Sequence, residues 1–548
     1  MYNQPGWDMS IHSMLRRRLI LVFALLWLLP ALACNYPRSG EISTPSQEQL
    51  RATMIADLVA TEWAIYSSTQ VGDLPGNLLP EHGQATLTTQ PSELVATPTP
   101  QPTSELQPGG LPVASDPDYY YYQVQPGDTL LALAGRFDVD PVQITSGDDI
   151  KPGGLLTPGQ LLIIPNLSGE VFDLPALFPD SEVIFSPTSL DFSISGYISS
   201  AGGYLSTYSE EVDKELLSGA EIVRRVAYDT SINPRLLLAV LEYRSGWVRG
   251  QSPNPASETY PLGFNVPGYT GLYKELSLAA KQLNMAYYAW RIGELAQLRF
   301  PNGSRRALDP RANAGTVAVQ DLFARLYSPP YWEDVLYGEK PFNLLYEQMI
   351  GDPWARATRF GALFPADLAQ PQLELPFLPG ERWAFTGGPH ISWNTGTPRG
   401  ALDFAPVTGE PACAVSRAWV TASASGLVAR SERGVVIIDL DSDGFEQTGW
   451  VLVYMHIAQS ERIPGGTRVN VDERLGHPSC EGGAATGTHV HIARKYNGEW
   501  LPASGVVPFV LSGWEVQPGQ RAYEGYLVKG DQIVSARPEG SSPSSIVR

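Results

Sequence analysis

The chain has 548 residues, too many for one ordinary core, and its 43% hydrophobic and 10% aromatic content is enough for several folded modules. A formal net charge of −19 leaves no basic surface to neutralise phosphates, which speaks against nucleic acid and against a polybasic membrane patch; the acidity reads as solubility. With 52 Gly and 47 Pro, turns and real linkers are expected.

At the N-terminus, Arg16, Arg17 and Arg18 precede the apolar run "LILVFALLWLLPALA", Leu19 to Ala33. Fifteen residues fall short of the roughly 20 a membrane span needs, whereas a basic segment, a short apolar segment and small residues make a secretory signal over residues 1–33. Met14 is the expected start. The break "ALAC" resembles a bacterial lipoprotein lipobox, although Ala31 stands where the usual box has Leu. The resemblance implies lipidation of Cys34 and anchoring to a membrane facing the cell wall; a plain signal peptide or short anchor is the other reading. Residues 34–117 hold a short possible helix around 47–66, then a stretch rich in Thr, Pro, Gln and Ser that cannot bury a core and reads as a tether.

Order is expected to resume over 118–167. Tyr122 and Val124 alternate as in a strand, Gly127 and Asp128 turn the chain, Thr129 can cap a helix, and Leu130, Leu133, Ala134 and Phe137 keep helical spacing. "LTPGQLLIIP" supplies a turn and a second strand. This small βααβ unit resembles a LysM module, on "VQPGDTLLALAGRF" and "LTPGQLLIIP". The resemblance implies binding of N-acetylglucosamine-containing glycan (peptidoglycan or chitin) through Gly127, Asp128, Thr129, Leu130, Gly154, Leu155 and Leu156. Residues 168–205 read as a linker.

From 206 to 370 the pattern is helical. Asn233 and Pro234 suit a helix start, Leu276, Ala279, Leu283, Tyr287 and Trp290 share one face, and Val319, Leu322, Phe323 and Leu326 share another. "INPRLLLAVLEYRSGW" resembles the catalytic helix of lysozyme-like lytic transglycosylases, whose acid is a Glu directly before Ser. Here Arg244 precedes Ser245, and a guanidinium cannot deliver a proton to a glycosidic oxygen. The domain is expected to be non-catalytic, with Glu242 or Glu275 as the only displaced-acid alternatives.

Residues 371–515 turn β-rich, and five of the seven histidines fall there: His390, His456, His477, His489 and His491. In a strand, His489 and His491 of "GTHVHIARK" face the same side. A catalytic zinc site needs three protein ligands and an open position, so two histidines are not enough. Asp403, between Leu402 and Phe404, is costly to bury unless it is paired or on a metal, and His456 sits in the apolar strand "VLVYMHIA". His477 in "HPSC" lacks a matching pair for a structural four-ligand site and reads as a surface or supporting group.

This segment resembles a lysostaphin-type zinc metalloendopeptidase, on "TGTHVHIA", "YMHI", "GGPHISW" and "RGALDFAP". The resemblance implies Zn²⁺ on His390, Asp403 and His491, with His456 and His489 flanking a water; the twelve residues between His390 and Asp403 are more than many members have. In an oxidising compartment Cys413 and Cys480 could pair as a disulfide, the other reading being two free thiols. The expected protein is a multidomain α+β chain: a βααβ module, a mostly helical middle and an antiparallel β-sheet metallopeptidase domain, with residues 516–548 an unassigned tail. Its expected function is cleavage of peptidoglycan peptide cross-links; the alternative is a non-catalytic wall-binding lipoprotein that scaffolds or activates another hydrolase.

Overall fold

The computed structural model describes residues 118–170, 172, 174–251 and 255–548. The signal, Cys34, the tether and the possible helix at 47–66 lie outside the described residues. No described helix is long and apolar enough to cross a membrane.

The first module is built as its pattern predicts. Strand β1 (Tyr119–Gln123) pairs antiparallel with β2 (Leu161–Pro165), Tyr122 opposite Leu162, so Tyr120, Tyr122, Leu162 and Ile164 share the buried side. Between them, Thr129 caps helix α1 (Leu130–Phe137) by accepting from Ala132 N at 3.2 Å. The second expected helix is a single 3-10 turn, Pro141–Gln143, followed by the two-residue strand Thr145–Ser146. Asp140 and Gln143 make a capping box there, but Ile144 already returns to extended backbone to reach the sheet.

The helical region starts earlier than the sequence suggests. Residues 168–205, read as a linker, contain helices Asp180–Val183 and Ile194–Ala201, and Phe178, Val183 and Ile184 are fully buried in the helical core. Helix α2 (Gly219–Thr230) opens on a Ser218–Glu221 capping box. Helix α3 (Pro234–Ser245) opens as expected, Asn233 Oδ1 accepting from Arg235 N at 3.0 Å with Pro234 in the first turn, and stops at Gly246 in the left-handed region. Helices α4 (Leu272–Arg291) and α5 (Ala314–Leu326) bury the faces read from their spacing.

The C-terminal region is centred on a nine-stranded antiparallel sheet. Its main strands are β3 (Arg382–Ile391), β4 (Arg399–Pro406), β5 (Gly426–Glu432), β6 (Val435–Asp439), β7 (Trp450–Met455), β8 (Val490–Tyr496) and β9 (Ser545–Val547). They run in the order β5-β6-β7-β8-β4-β3-β9, with Arg468–Val469 added beside β5 and Glu499–Trp500 beside β8. The unassigned tail is therefore structural. Trp514–Pro518, Gly525–Lys529 and Gln532–Ser535 belong to a four-stranded sheet, and β9 extends the main one.

Strand alternation gives the main sheet two buried faces. Leu402, Phe404, Val436, Ile438, Leu452, Val490 and Ile492 pack on one side. Ala401, Val435, Ile437, Val451, Val453, Met455, Ala493 and Trp500 pack on the other, into the same core as the helical region. By the same alternation, Asp403 and His491 belong to this second face.

Candidate metal centre

His491 on β8 lies between β7 and β4, opposite Met455 on one side and Asp403 on the other. Asp403 is also in register with Gly387 on β3, and a Cβ on Gly387 would fall on the Asp403 carboxylate. A glycine is required there for β3 to pass the carboxylate. The strand then slips register before it delivers His390. His390, Asp403 and His491 are 2%, 7% and 6% exposed, which for a carboxylate demands a compensating partner.

The donor atoms converge. Asp403 Oδ1 is 3.3 Å from His390 Nε2 and 3.4 Å from His491 Nδ1, and these two nitrogens are 3.1 Å apart. The other ring nitrogens decide what the convergence means. His390 Nδ1 lies 2.8 Å from Gly388 O and His491 Nε2 2.9 Å from Ser392 O, so each ring donates its N–H to a backbone carbonyl. Neutral rings held in this way turn two lone pairs toward a carboxylate oxygen that is buried without a hydrogen bond of its own. Three acceptors facing one point fit a cation. The three ligand atoms lie within 4.8 Å of one another, a set suited to zinc in type and number.

Electrostatics follow this arrangement. Burial opposes the charge on Asp403, but the imidazoles of His390 and His489 outweigh it and hold the carboxyl well below its ordinary range. Burial also opposes a charge on His390, yet Asp403 raises its pKa above the usual value. His491 is pushed down, chiefly by burial. His456 falls to about 3, from burial first and then from His489 and His491, so its ring stays neutral.

His456 and His489 stand beside the three donors. Their ring centroids are 4.4 Å apart, and His489 Nε2 is 3.7 Å from Asp403 Oδ1. Each is oriented by a carbonyl: His456 Nδ1 donates to Glu481 O at 2.8 Å, and His489 Nδ1 to Gly487 O at 2.7 Å, which leaves both Nε2 atoms free of backbone. His477 is not part of the group. It donates to Ala418 O at 2.8 Å, meets Glu461 at 3.2 Å and lies against the Trp419 ring. Cys480 is unavailable as a ligand, because Cys413 and Cys480 form a disulfide.

Several supporting groups carry no local sequence signal. The Tyr523 ring stacks on His390 with centroids 4.2 Å apart, and its backbone pairs with Gly388 and Pro389. Ser392 and Glu481 act through carbonyls, which any residue type supplies. A second acidic group, Asp439, Asp441 and Asp443, also brings its oxygens together, but Asp439 and Asp443 are occupied by N–H groups of their own loop.

The displaced-acid alternatives in the helical region are structural. Glu242 accepts from Val248 N and Arg249 N at 2.9 and 3.0 Å, and buried Glu275 accepts from Leu262 N and Phe264 N. Arg244 donates to Leu262 O and lies over the Tyr327 ring.

The LysM loops do meet, through a bridge between Thr129 and Leu155 and a 3.0 Å bond from Leu156 N to Asp128 O. Not all the residues expected to touch glycan are available to it. Asp128 is 1% exposed and spends its carboxylate on Tyr122 Oη, Gln125 N and Arg136, and Leu156 is in the module's core.

Residues 122–165 match the family model "LysM domain" and residues 176–365 the model "LasA, N-terminal domain". The second match covers the helical region that the sequence likened to lysozyme. The chain is 25% identical over 293 residues to "Protease LasA" of Pseudomonas aeruginosa, covering 50% of this chain and 65% of that protein. It is 26% identical over 167 residues to "Beta-lytic metalloendopeptidase" of Lysobacter enzymogenes, covering 29% of this chain and 90% of that one. Among solved structures, "A Novel M23 Metalloprotease Pseudoalterin from Deep-sea" is similar at 22% identity and TM-score 0.26, over 30% of this chain and 96% of that one. The chain joins a LysM domain to an antiparallel β-sheet, metallopeptidase-like domain whose His390, Asp403 and His491 are suited to a metal ion. It spans less than two thirds of the LasA proteins it matches.

Proposed function

We propose that this protein is a zinc metalloendopeptidase that hydrolyses the peptide cross-links of peptidoglycan outside the cytoplasm, with Cys34 lipidated as its membrane anchor. The observation that carries the reading is the convergence of Nε2 of His390, Oδ1 of Asp403 and Nδ1 of His491, with two further carbonyl-oriented imidazoles beside them. Similarity to proteins named as a protease and as a beta-lytic metalloendopeptidase supports it.

A zinc ion bound there supplies Lewis-acid polarisation and makes water nucleophilic at neutral pH. His390, Asp403 and His491 hold it. His456 and His489 offer Nε2 for proton transfer, one taking a proton from the attacking water and the other steadying the developing oxyanion or protonating the leaving amine. His456 donates from Nδ1 to Glu481 O, which leaves its Nε2 for proton transfer. The helical region contributes packing rather than glycosidic chemistry, because Arg244, Glu242 and Glu275 are committed to internal contacts.

Digestion of cross-linked muropeptides with zinc-loaded protein, read by mass spectrometry with and without chelator, tests the reading. Cleavage at a peptide bond that stops with chelator and in His491→Ala is the expected result. If the zinc-loaded wild type leaves cross-links as intact as His491→Ala does, the reading is lost.

A further inference from the structure

The two loops that the LysM resemblance implies as a glycan groove are partly covered by the rest of the chain, at Gly127 on one and Leu155 on the other. A Cβ on Gly127 would stand 2.6 Å from Arg291 Nη1 and 3.0 Å from the Phe364 ring. Arg291 donates to Pro126 O at 2.6 Å, and its other nitrogen meets Asp180 and Glu499 at 3.1 Å each, so this one guanidinium joins all three regions. On the facing loop, Leu155 is buried in a small cluster with Leu363, Phe364, Leu501 and Val507. A second contact lies behind α1. Arg136 Nε donates to Trp290 O at 3.0 Å, and a Cβ on Gly293 would stand 2.5 Å from Ala132 O.

We propose that this contact is an intramolecular lock: the dock and the glycan groove use the same surface, so the LysM module binds glycan only when it has lifted off. Two features allow it to lift without unfolding. The module has a core of its own, formed by residues such as Tyr122, Leu133, Phe137 and Leu162, separate from the cores of the other two regions. Among the described residues the module is joined to the rest by one connection, after β2, which can serve as a hinge. A groove exposed in only a fraction of molecules binds with its affinity reduced by that fraction, so about 1% open means about 100-fold weaker apparent binding.

The lock reverses the usual sign of a mutation: damage to the dock should tighten glycan binding. Titrating a soluble N-acetylglucosamine hexamer into the full chain tests this. Phe364→Ser and Gly293→Ala both loosen the dock from the helical side and leave every LysM residue intact; roughly tenfold or greater tightening over wild type is expected. Gly154→Trp, at a position where a Cβ meets nothing within 4 Å, should cancel the gain in the Phe364→Ser background by filling the groove. If Phe364→Ser does not fold, Gly293→Ala decides. Equal affinity in wild type and both dock variants overturns the lock, as does a gain that survives Gly154→Trp or an absence of binding in every variant. The lock rests on the LysM match and not on the hydrolase reading, whose failure would appear in muropeptide digestion and leave these titrations unchanged.

Discussion

His456 sits in the left-handed region, φ +65°, a conformation that costs a non-glycine residue of order 1–3 kcal/mol. The strain is spent where β7 ends, and it aims the ring at His489 while Nδ1 reaches Glu481 O. This separates two kinds of loss. His491→Ala removes a metal donor and should take bound zinc from about one per chain to near none, measured by elemental mass spectrometry. His456→Ala should retain the zinc and still lose roughly 100-fold or more in kcat, the usual weight of a proton-transfer group. Tyr523→Ala removes the ring stacked on His390 and should weaken zinc binding by roughly 10-fold or more, measured by competition with a chromophoric chelator. At this scale much was legible. Strand alternation alone brings His489 and His491 to one side, and an Asp between Leu402 and Phe404 announces a partner. The carbonyls of Ser392, Glu481 and Gly388 could not be read, because a backbone acceptor leaves no trace in residue identity, and Tyr523 was hidden by the long stretch of β-structure that separates it from His390.

The loop between β3 and β4 explains why twelve residues separate His390 from Asp403. It leans on α4, where a Cβ on Gly396 would stand 2.8 Å from Lys281 O, and it presents the Ser392 carbonyl to His491. The segment Ser479–Glu481 does the same for the flanking histidines: Ser479 N donates to His456 O, Ser479 O accepts from His489 N, and Cys480 ties the segment to Cys413 across a sequence separation of 67. Replacing both cysteines with serine should lower unfolding free energy by about 2–5 kcal/mol in denaturant titration. Where β6 runs into β7, buried Glu446 meets Arg430 at 2.6 Å and Lys495 at 3.0 Å, and Arg430 reaches Asp229 on α2 at 3.0 Å. Burial opposes the Glu446 charge, but Arg430 and Lys495 outweigh it and depress the pKa. A depressed carboxyl stabilises the fold fully above its unfolded pKa, about 4.3, and loses that contribution as pH falls through the lower folded value. Glu446→Gln should therefore lower Tm near neutrality by an amount corresponding to about 3 kcal/mol, and Tm should then fall less steeply in acid than in wild type.

The helical region and the metal-bearing face of the sheet share one core, in which Val435, Ile437, Val451 and Val453 pack with residues of the helices. A single calorimetric transition for these two regions is expected, with a van't Hoff enthalpy close to the calorimetric one; two resolved transitions would show that the interface does not couple them. The sequence marks each region by its periodicity but carries no mark of this union. Alternation tells which residues of β6 and β7 are buried on both sides, as parallel or sandwiched strands would be, and not what covers them. The same limit made residues 168–205 read as a linker: their helices are short, and Phe178, Val183 and Ile184 gain meaning only once α5 lies over them.

The carbonyl clamps on the four histidines leave a spectroscopic signature. His390, His456 and His489 keep their ring proton on Nδ1, and His491 keeps its own on Nε2. Among these four rings a nitrogen-15 spectrum should therefore show three of one tautomer and a single ring of the other, with His477, which also donates from Nδ1, joining the majority. That lone ring is the one that meets the metal through Nδ1, so the odd resonance reports on a single ligand without any substitution, and its loss on acidification marks the pH at which the centre opens.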